Sequence, residues 1–256
     1  MAESLSIAGM DATDDAFLGG QLRLRQPASG HRAGHDAILL AAATSAQPGD
    51  RVVDFGAGVG TAGLALAWCV KGVALTLLEI DPQLAQLARG NAAANHIDAN
   101  VISMDIASPA DVFAAAGLPP DSVDVVLMNP PFNDAIRHRA SPDKAREVAH
   151  VATSATLDNW THAARRLLRS GGALTLIWRG DGLGEVLAAL EKGFGSLKVL
   201  PVHGDPAKPA IRIIVRAVKG GRAPAAIYPG INLRDETGAP DPYIQQVLSG
   251  QAVLSF

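Results

Sequence analysis

The chain of 256 residues has a single cysteine, few aromatic side chains and no excess of basic charge. One cysteine excludes a framework of internal disulfides and is typical of a reducing compartment. We expect this residue, Cys69, to be a small buried side chain within a helix. The formal net charge of −3 excludes general electrostatic attraction to nucleic acid. Any nucleic-acid contact therefore needs a local basic surface.

Long apolar runs are missing as well. No stretch approaches the roughly 20 apolar residues that a membrane-spanning helix needs. Residues 1–15 are acidic and lack the basic-then-apolar order of a signal peptide. We therefore expect a cytoplasmic protein that does not contact membranes. Apolar residues make up 48% of the chain and charged residues 18%, which predicts a packed core rather than disorder.

From Arg51 onward, short apolar runs alternate with helical patterns. The strand-like runs are Arg51–Phe55, Val73–Glu79, Val101–Met104, Val123–Met128, Ala173–Trp178 and Ile211–Val215. The helical patterns are Thr61–Val70, Gln83–Asn95, Leu157–Leu168 and Leu183–Lys192. This alternation predicts an α/β fold with a doubly wound, mostly parallel sheet.

The segments around that alternation carry weaker signals. Residues 1–15 show no period and predict an irregular segment, whereas Gln21–Arg25 alternates like a strand or hairpin. Residues 34–43 predict a helix with Asp36 as its N-terminal cap. The pair Gly171-Gly172 predicts a left-handed helix end just before a strand.

A glycine-rich segment follows the first predicted strand of the alternation and reads Asp54-Phe55-Gly56-Ala57-Gly58-Val59-Gly60. Glycines let the backbone turn sharply and approach a ligand closely. A dinucleotide fingerprint requires glycine at position 61, which is Thr61, and Asp54 would repel a pyrophosphate. The same acid suits the cationic sulfonium and amino group of S-adenosylmethionine. The segment therefore favours this cofactor over a nicotinamide dinucleotide.

Acids also end the next two predicted strands. Glu79, which precedes Ile80, is placed to accept hydrogen bonds from both ribose hydroxyls of a nucleoside. Asp105 offers an acceptor for an adenine amino group, and Ile106 offers an apolar wall for the ring. Three acids at successive strand ends, with the glycines, predict a site for S-adenosylmethionine.

The fourth strand of the alternation runs into Asn129-Pro130-Pro131-Phe132. Prolines donate no hydrogen bond, and Pro131 keeps Pro130 extended. The loop thus presents two acceptors, the Asn129 side-chain oxygen and the Pro130 carbonyl. Acceptors that bind an exocyclic NH₂ make its lone pair available to attack a methyl group, and Phe132 can stack on a flat substrate. These four residues predict methylation of a planar nitrogen without a metal ion.

With these motifs the chain resembles class I methyltransferases that carry the Asn-Pro-Pro-Phe/Tyr motif of amino- and amide-N methylation. It is similar in particular to the bacterial tRNA1(Val) adenine-N6 methyltransferase family. That family places a basic-Gly-[Thr/Ile]-Asp-x-x-Leu-Leu segment before its cofactor loop. Here the segment reads Arg32-Ala33-Gly34-His35-Asp36-Ala37-Ile38-Leu39-Leu40, with His35 in place of the usual residue. The similarity spans about Leu22 to Val215. It implies that Arg32, Gly34 and Asp36 close over the cofactor, and we place His35 with them.

The resemblance implies a Rossmann-like sheet of about seven strands, the last antiparallel, flanked by helices. It also implies S-adenosylmethionine as the cofactor and the N6 amine of an adenine in tRNA as the methyl acceptor. We expect an N-terminal extension that covers the cofactor at residues 1–48 and a methyltransferase domain at 49–220. A C-terminal appendage at 221–256 is expected to pack on the same domain.

Basic residues follow the Asn-Pro-Pro-Phe loop at Arg137, Arg139, Lys144 and Arg146. A basic loop beyond the catalytic strand is where RNA phosphates would lie, and an ordinary solvated loop is the alternative. Because aromatic residues are only 4% of the chain, a single flipped nucleotide fits better than an extended stacking surface.

Other functions stay open at this point. The same loop serves methylation of a glutamine amide in a protein or of guanine N2 in ribosomal RNA. An NAD-dependent oxidoreductase is a more remote alternative, since Asp54 and Thr61 speak against it. A non-catalytic RNA-binding module on the same fold is the remaining one.

Overall fold

A computed structural model describes residues 5–7, 10–29, 32–131 and 156–256. The strands are β1 (Leu5–Ile7), β2 (Met10–Phe17), β3 (Leu22–Pro27), β4 (Arg51–Phe55), β5 (Ala74–Glu79), β6 (Ala99–Ser103), β7 (Val123–Met128), β8 (Leu168–Arg179), β9 (Phe194–His203), β10 (Arg212–Lys219), β11 (Ala226–Ile227) and β12 (Ile231–Asn232). The helices are α1 (His35–Ala43), α2 (Thr61–Cys69), α3 (Pro82–Ala94), α4 (Ala110–Ala115), α5 (156–167), α6 (Leu183–Leu190) and α7 (Pro242–Leu248).

The main sheet confirms the predicted α/β architecture. Its strand order is β11-β9-β10-β8-β7-β4-β5-β6, and β12 also pairs with β9. Neighbours from β6 to β8 are parallel, whereas β10 runs antiparallel between β8 and β9. The chain order reverses beside β4, which has β5 on one side and β7 on the other. In sheets of this kind, ligands bind at such a switch point, beyond the carboxyl ends of the strands.

Helices cover both faces of this sheet, so its central strands are apolar on both sides. On β4, Val52 packs into one buried cluster with residues of α1, α2 and α7, while Val53 and Phe55 pack into another with residues of α4, α5 and α6. Burial of each such side chain stabilises the fold by roughly 1.5–3 kcal/mol. Residues of the C-terminal segment, Ile244 and Val247, belong to the first cluster.

The N-terminal residues form a second, three-stranded antiparallel sheet in the order β1-β2-β3. The prediction of an irregular segment at 1–15 is therefore wrong, while the strand at Gln21–Arg25 is confirmed as part of β3. Strand β2 is rich in polar residues and is held by pairing with all six residues of β3, from Leu22 to Pro27. Such cross-strand pairing leaves little trace in the side-chain pattern of one strand alone.

Three local predictions are wrong. Asp36 does not cap α1: the N-cap is Gly34, without a side-chain hydrogen bond, and Asp36 lies in the first turn. Gly171 has a left-handed backbone (φ 79°), yet it lies within β8, where the pairing with β7 shifts register, and not at a helix end. Cys69 is exposed at the end of α2 rather than buried. Within the described ranges, no helix is long and apolar enough to cross a membrane.

Candidate active site

A cleft of about 610 Å³ opens at the carboxyl ends of β4 and β7, beside the first turn of α1. Eleven of the residues predicted for the cofactor or for catalysis line it: Arg32, Gly34, His35, Asp36, Asp54, Gly56, Ala57, Gly58, Asn129, Pro130 and Pro131. Segments that are far apart in the chain thus meet at the switch point of the sheet.

Six other predicted cofactor residues, namely Phe55, Gly60, Glu79, Ile80, Asp105 and Ile106, lie outside the wall of this cleft. Phe55 is fully buried and meets the ring of Trp160 edge-on, with ring centroids 6.3 Å apart. Ile80 is exposed and Ile106 is buried. The predicted catalytic Phe132 and the predicted RNA contacts Arg137, Arg139, Lys144 and Arg146 lie outside the described residues.

The glycine loop after β4 has backbone angles that would be strained for any residue other than glycine. Gly56, Gly58 and Gly60 have φ of 63°, 57° and 92°. At Gly56 there is no room either, because a Cβ would lie 2.3 Å from the indole of Trp160. The loop is further tied by the Ala57 N–H, which donates to the Leu78 carbonyl at 2.9 Å. The loop is therefore held in a preformed shape along the cleft.

Asp54 places a buried carboxyl group in the cleft wall. Its side chain is almost completely buried, and Oδ2 accepts a hydrogen bond from the Gly63 N–H at 2.8 Å. Burial and, to a smaller extent, the nearby charge of Glu79 raise the pKa of Asp54 to about 7, against the opposing effect of the hydrogen bond from Gly63. A cation beside Asp54 would favour its ionised form, so this carboxyl group suits a positively charged ligand.

Glu79 at the end of β5 stiffens the same loop. Its Oε2 accepts from the Gly58 N–H at 2.7 Å and its Oε1 accepts from the Asp81 N–H at 2.9 Å. Each carboxylate oxygen has a second lone pair, so these bonds are compatible with ribose hydroxyls as additional donors. The ribose role of Glu79 stays a prediction.

Two buried polar atoms in the wall have no hydrogen-bond partner among the described residues. They are Oδ1 of Asn129, which follows β7, and Oγ1 of Thr61, the first residue of α2. An unpaired buried acceptor costs roughly 1–3 kcal/mol, so such atoms point to a missing donor. For Asn129 this agrees with its predicted task of accepting from an amine. The sequence indicates no such role for Thr61, which stands where a dinucleotide fingerprint would have glycine.

The cleft is also lined by an ion pair that was not predicted from the sequence. Arg212, the first residue of β10, donates from Nε to Oδ2 of Asp36 at 2.8 Å. The two residues are 176 positions apart, and each side chain is 30% exposed. A basic residue at the start of an antiparallel strand is a weak signal, because its position over the cleft depends on the strand order.

The N-terminal sheet contributes a further part of the wall. Gln26 on β3 is buried, accepts from the Ala33 N–H at 2.8 Å and donates to Asp15 Oδ2 at 2.7 Å. Arg32 also forms an ion pair with Asp15. Asp15 and Gln26 thus fix the segment just before α1, and neither was identified from the sequence.

Comparison with known proteins assigns this site to a family. The family model described as Methyltransferase small domain matches residues 32–204, which include the walls formed by α1, the glycine loop and Asn129. The chain belongs to this family. Asp54 and Asn129, which were predicted to serve a cationic ligand and an amine, line one cleft of this methyltransferase.

Individual relatives align with different shares of this chain. The tRNA1(Val) (adenine(37)-N6)-methyltransferase of Porphyromonas gingivalis is 29% identical over 207 residues, which are 78% of this chain and 79% of that protein. The ribosomal RNA small subunit methyltransferase C of Pseudomonas aeruginosa is 33% identical over 98 residues, 38% of this chain and 27% of that one. The crystal structure of a predicted O-methyltransferase from Agrobacterium tumefaciens has a TM-score of 0.70 and 30% identity, and covers 86% of this chain and 98% of its own.

The methyltransferase uses S-adenosylmethionine as its cofactor, as the sequence predicted. The residues present fit this group. The buried carboxyl of Asp54 matches its cationic end, and the unpaired oxygen atoms of Thr61 and Asn129 offer acceptors in the same cleft. When bound, S-adenosylmethionine supplies an electrophilic methyl group.

Proposed function

We propose that this methyltransferase methylates the exocyclic N6 amine of an adenine in tRNA, in the cytoplasm. The observation that carries the proposal is the buried Oδ1 of Asn129 in the cleft, which has no hydrogen-bond partner in the described part of the chain and precedes two prolines that donate no hydrogen bond. A site that offers two hydrogen-bond acceptors suits an amine that carries two hydrogens. An aromatic amine in a nucleobase offers both hydrogens and a flat ring.

In the proposed reaction the loop residues orient the amine and change its electronic state. Asn129 Oδ1 accepts one N6 hydrogen and the Pro130 carbonyl accepts the other, which draws the nitrogen lone pair out of conjugation with the ring. The nitrogen then attacks the methyl carbon, so that an N–C bond forms as the S–C bond breaks. S-adenosylhomocysteine and a protonated amine result, and the amine loses its proton to water. No strong general base is needed for this last step.

The choice of tRNA rests on two kinds of support. The Porphyromonas gingivalis relative, which is named for adenine methylation of a tRNA, aligns over 78% of the chain. The segment 137–146 supplies four basic residues directly after the catalytic motif. We propose that Arg137, Arg139, Lys144 and Arg146 bind phosphates of the substrate, and that Phe132 stacks on the target base.

The test is methyl transfer in vitro with labelled S-adenosylmethionine. The acceptors are tRNA, ribosomal RNA and protein fractions from a strain that lacks the gene. Nucleosides from the labelled RNA are then separated by mass spectrometry. We expect label in tRNA as N6-methyladenosine, and loss of that nucleoside from tRNA of the deletion strain. Label only in protein, or in guanine of ribosomal RNA, would contradict the proposal.

A further inference from the structure

Two asparagines on α3 and at its end hold the N-terminal sheet against the main domain. Asn95 accepts from the Arg23 N–H at 3.0 Å and donates to the Arg23 carbonyl at 2.7 Å. Asn91 does the same with Arg25, at 2.8 and 3.0 Å. Each side-chain amide thus pairs with one residue of β3 as a neighbouring strand would.

The spacing explains why two such pairs form. Residues four apart on a helix rise about 6 Å, and residues two apart on a strand advance about 6.6 Å. Arg23 and Arg25 direct their backbone groups to the same edge of β3, away from the edge that pairs with β2. The two amides therefore satisfy a strand edge that would otherwise be open.

The two asparagines differ in one bond. The Asn91 side-chain NH₂ also donates to the Val59 carbonyl at 2.9 Å, whereas the second bond of the Asn95 NH₂ goes to the Asn91 carbonyl at 2.8 Å. Val59 lies in the glycine loop and lines the cleft. Asn91 is also buried, while Asn95 is half-exposed. Of these two asparagines, Asn91 alone bonds to both the N-terminal sheet and the glycine loop.

We propose that Asn91 is a positioning residue for the cofactor loop, which couples docking of strand β3 to the binding of S-adenosylmethionine. Through Asn91, β3 fixes the Val59 carbonyl on one wall, and through Gln26 it fixes Ala33 on another. Loss of the Asn91 amide frees the loop without replacing any residue that lines the cleft. This inference rests on the placement of S-adenosylmethionine in this cleft.

The first test compares three variants by calorimetric titration with S-adenosylmethionine, each well below its melting temperature. Asn91→Ala is expected to weaken binding about tenfold, because the loop is no longer held in its bound shape. The matched control Asn95→Ala removes the same kind of pair with β3 and should change the dissociation constant less than about twofold. Asp54→Asn reports on the placement of the cofactor itself.

These outcomes separate the two hypotheses. If Asp54→Asn weakens binding and Asn91→Ala behaves like Asn95→Ala, the coupling is wrong and the cofactor site stands. If Asp54→Asn leaves binding unchanged, the placement of the cofactor fails first. Should Asn91→Ala not fold, Asn91→Asp keeps the acceptor for Arg25 and removes both donated bonds, so it tests the same connection.

Amide hydrogen exchange in the unmodified protein gives a second readout. The Arg25 N–H is bonded to Asn91 and the Arg23 N–H is bonded to Asn95. Binding of S-adenosylmethionine is expected to slow exchange at Arg25 more than at Arg23. A purely structural role of Asn91 predicts equal changes at the two amides, and that result would overturn the proposal.

Discussion

The two sides of the cleft differ in how completely their polar groups are satisfied. On the side of the glycine loop, Glu79 accepts from the Gly58 and Asp81 N–H groups, and Asp54 accepts from the Gly63 N–H in the first turn of α2. The Thr61 hydroxyl is the exception on this side, because it has no partner among the described residues. On the side of β7, the Asn129 oxygen is buried without a partner among the described residues. We propose that the first side is preorganised for S-adenosylmethionine, and that a donor from the substrate completes the second.

The largest expected effect is therefore on the incomplete side. Asn129→Ala should lower turnover by on the order of 10²-fold and leave the affinity for S-adenosylmethionine within about twofold, because it removes an acceptor that acts on the amine. Single-turnover rates and calorimetry measure the two effects. Asn100→Ala, at an exposed asparagine of β6, is the matched control. Equal loss of turnover and cofactor affinity would place Asn129 on the cofactor side instead.

On the preorganised side, Glu79→Ala should act mainly on cofactor affinity. It releases the N–H groups of Gly58 and Asp81 and removes the proposed ribose acceptor, so we expect binding to weaken about ten- to thirtyfold. Glu79→Gln keeps one acceptor, so its affinity for S-adenosylmethionine should lie between those of the unmodified protein and Glu79→Ala. Equilibrium titration with S-adenosylmethionine measures the change, and an unaltered dissociation constant would remove Glu79 from the site.

The raised pKa of Asp54 predicts a pH dependence of both binding and stability. S-adenosylmethionine is cationic and favours the ionised carboxylate, so its affinity should fall as pH decreases below about 7, by up to tenfold per unit. Stability changes in the opposite sense. The folded state keeps a proton that the unfolded state has lost, so the free energy of unfolding decreases as pH rises from about 4 to 7.

The variant Asp54→Asn tests both consequences at once. It should flatten the pH dependence of cofactor affinity between pH 6 and 8 and remove this contribution to the pH dependence of unfolding. Urea unfolding and calorimetry across this range are the measurements. If affinity in the variant still decreases below pH 7 as in the unmodified protein, another group is responsible.

The smallest effect is expected for the ion pair between Asp36 and Arg212, which line the cleft. Because both side chains are 30% exposed, Arg212→Met should lower the free energy of unfolding by no more than about 1 kcal/mol. We expect it to raise KM for RNA more than it lowers kcat, since Arg212 is a basic residue that lines the same cleft as Asn129. Lys208→Met, which breaks the exposed pair with Asp205, is the control.

The strands predicted best from the sequence are those whose own residue pattern is distinctive. Strands β4 and β7 were predicted to the residue because they are apolar on both faces and end in turn-forming residues. Strand β9 was missed: its apolar pattern is interrupted by Lys198 and Pro201, and pairing with β10 holds it in the sheet. Local residue patterns identify central strands, but they do not identify strands that form only through pairing with their neighbours.

The same division holds for the site. The meeting of Asp54 with the Asn-Pro-Pro motif could be predicted because the carboxyl ends of parallel strands converge on one edge of the sheet. Glu79 and Asp105 end neighbouring strands but lie outside the wall of the cleft. Arg212, Gln26 and Asn91 could not, since each acts through a partner that only the folded chain brings near. Asn91 and Asn95 do carry a signal, two amides spaced four residues apart on a helix, but it specifies no partner.

The contact between Trp160 and Gly56 has a practical consequence. The indole of Trp160 lies against the glycine loop. Trp178 is fully buried in the core, and Trp68, near the C-terminal end of α2, donates a hydrogen bond to the side chain of Gln21. Intrinsic fluorescence therefore offers an optical probe of the loop, in which Trp160 responds and the other two emit a constant background. Replacing Trp160 by phenylalanine would silence that signal, and ligand titrations could then be followed without any added dye.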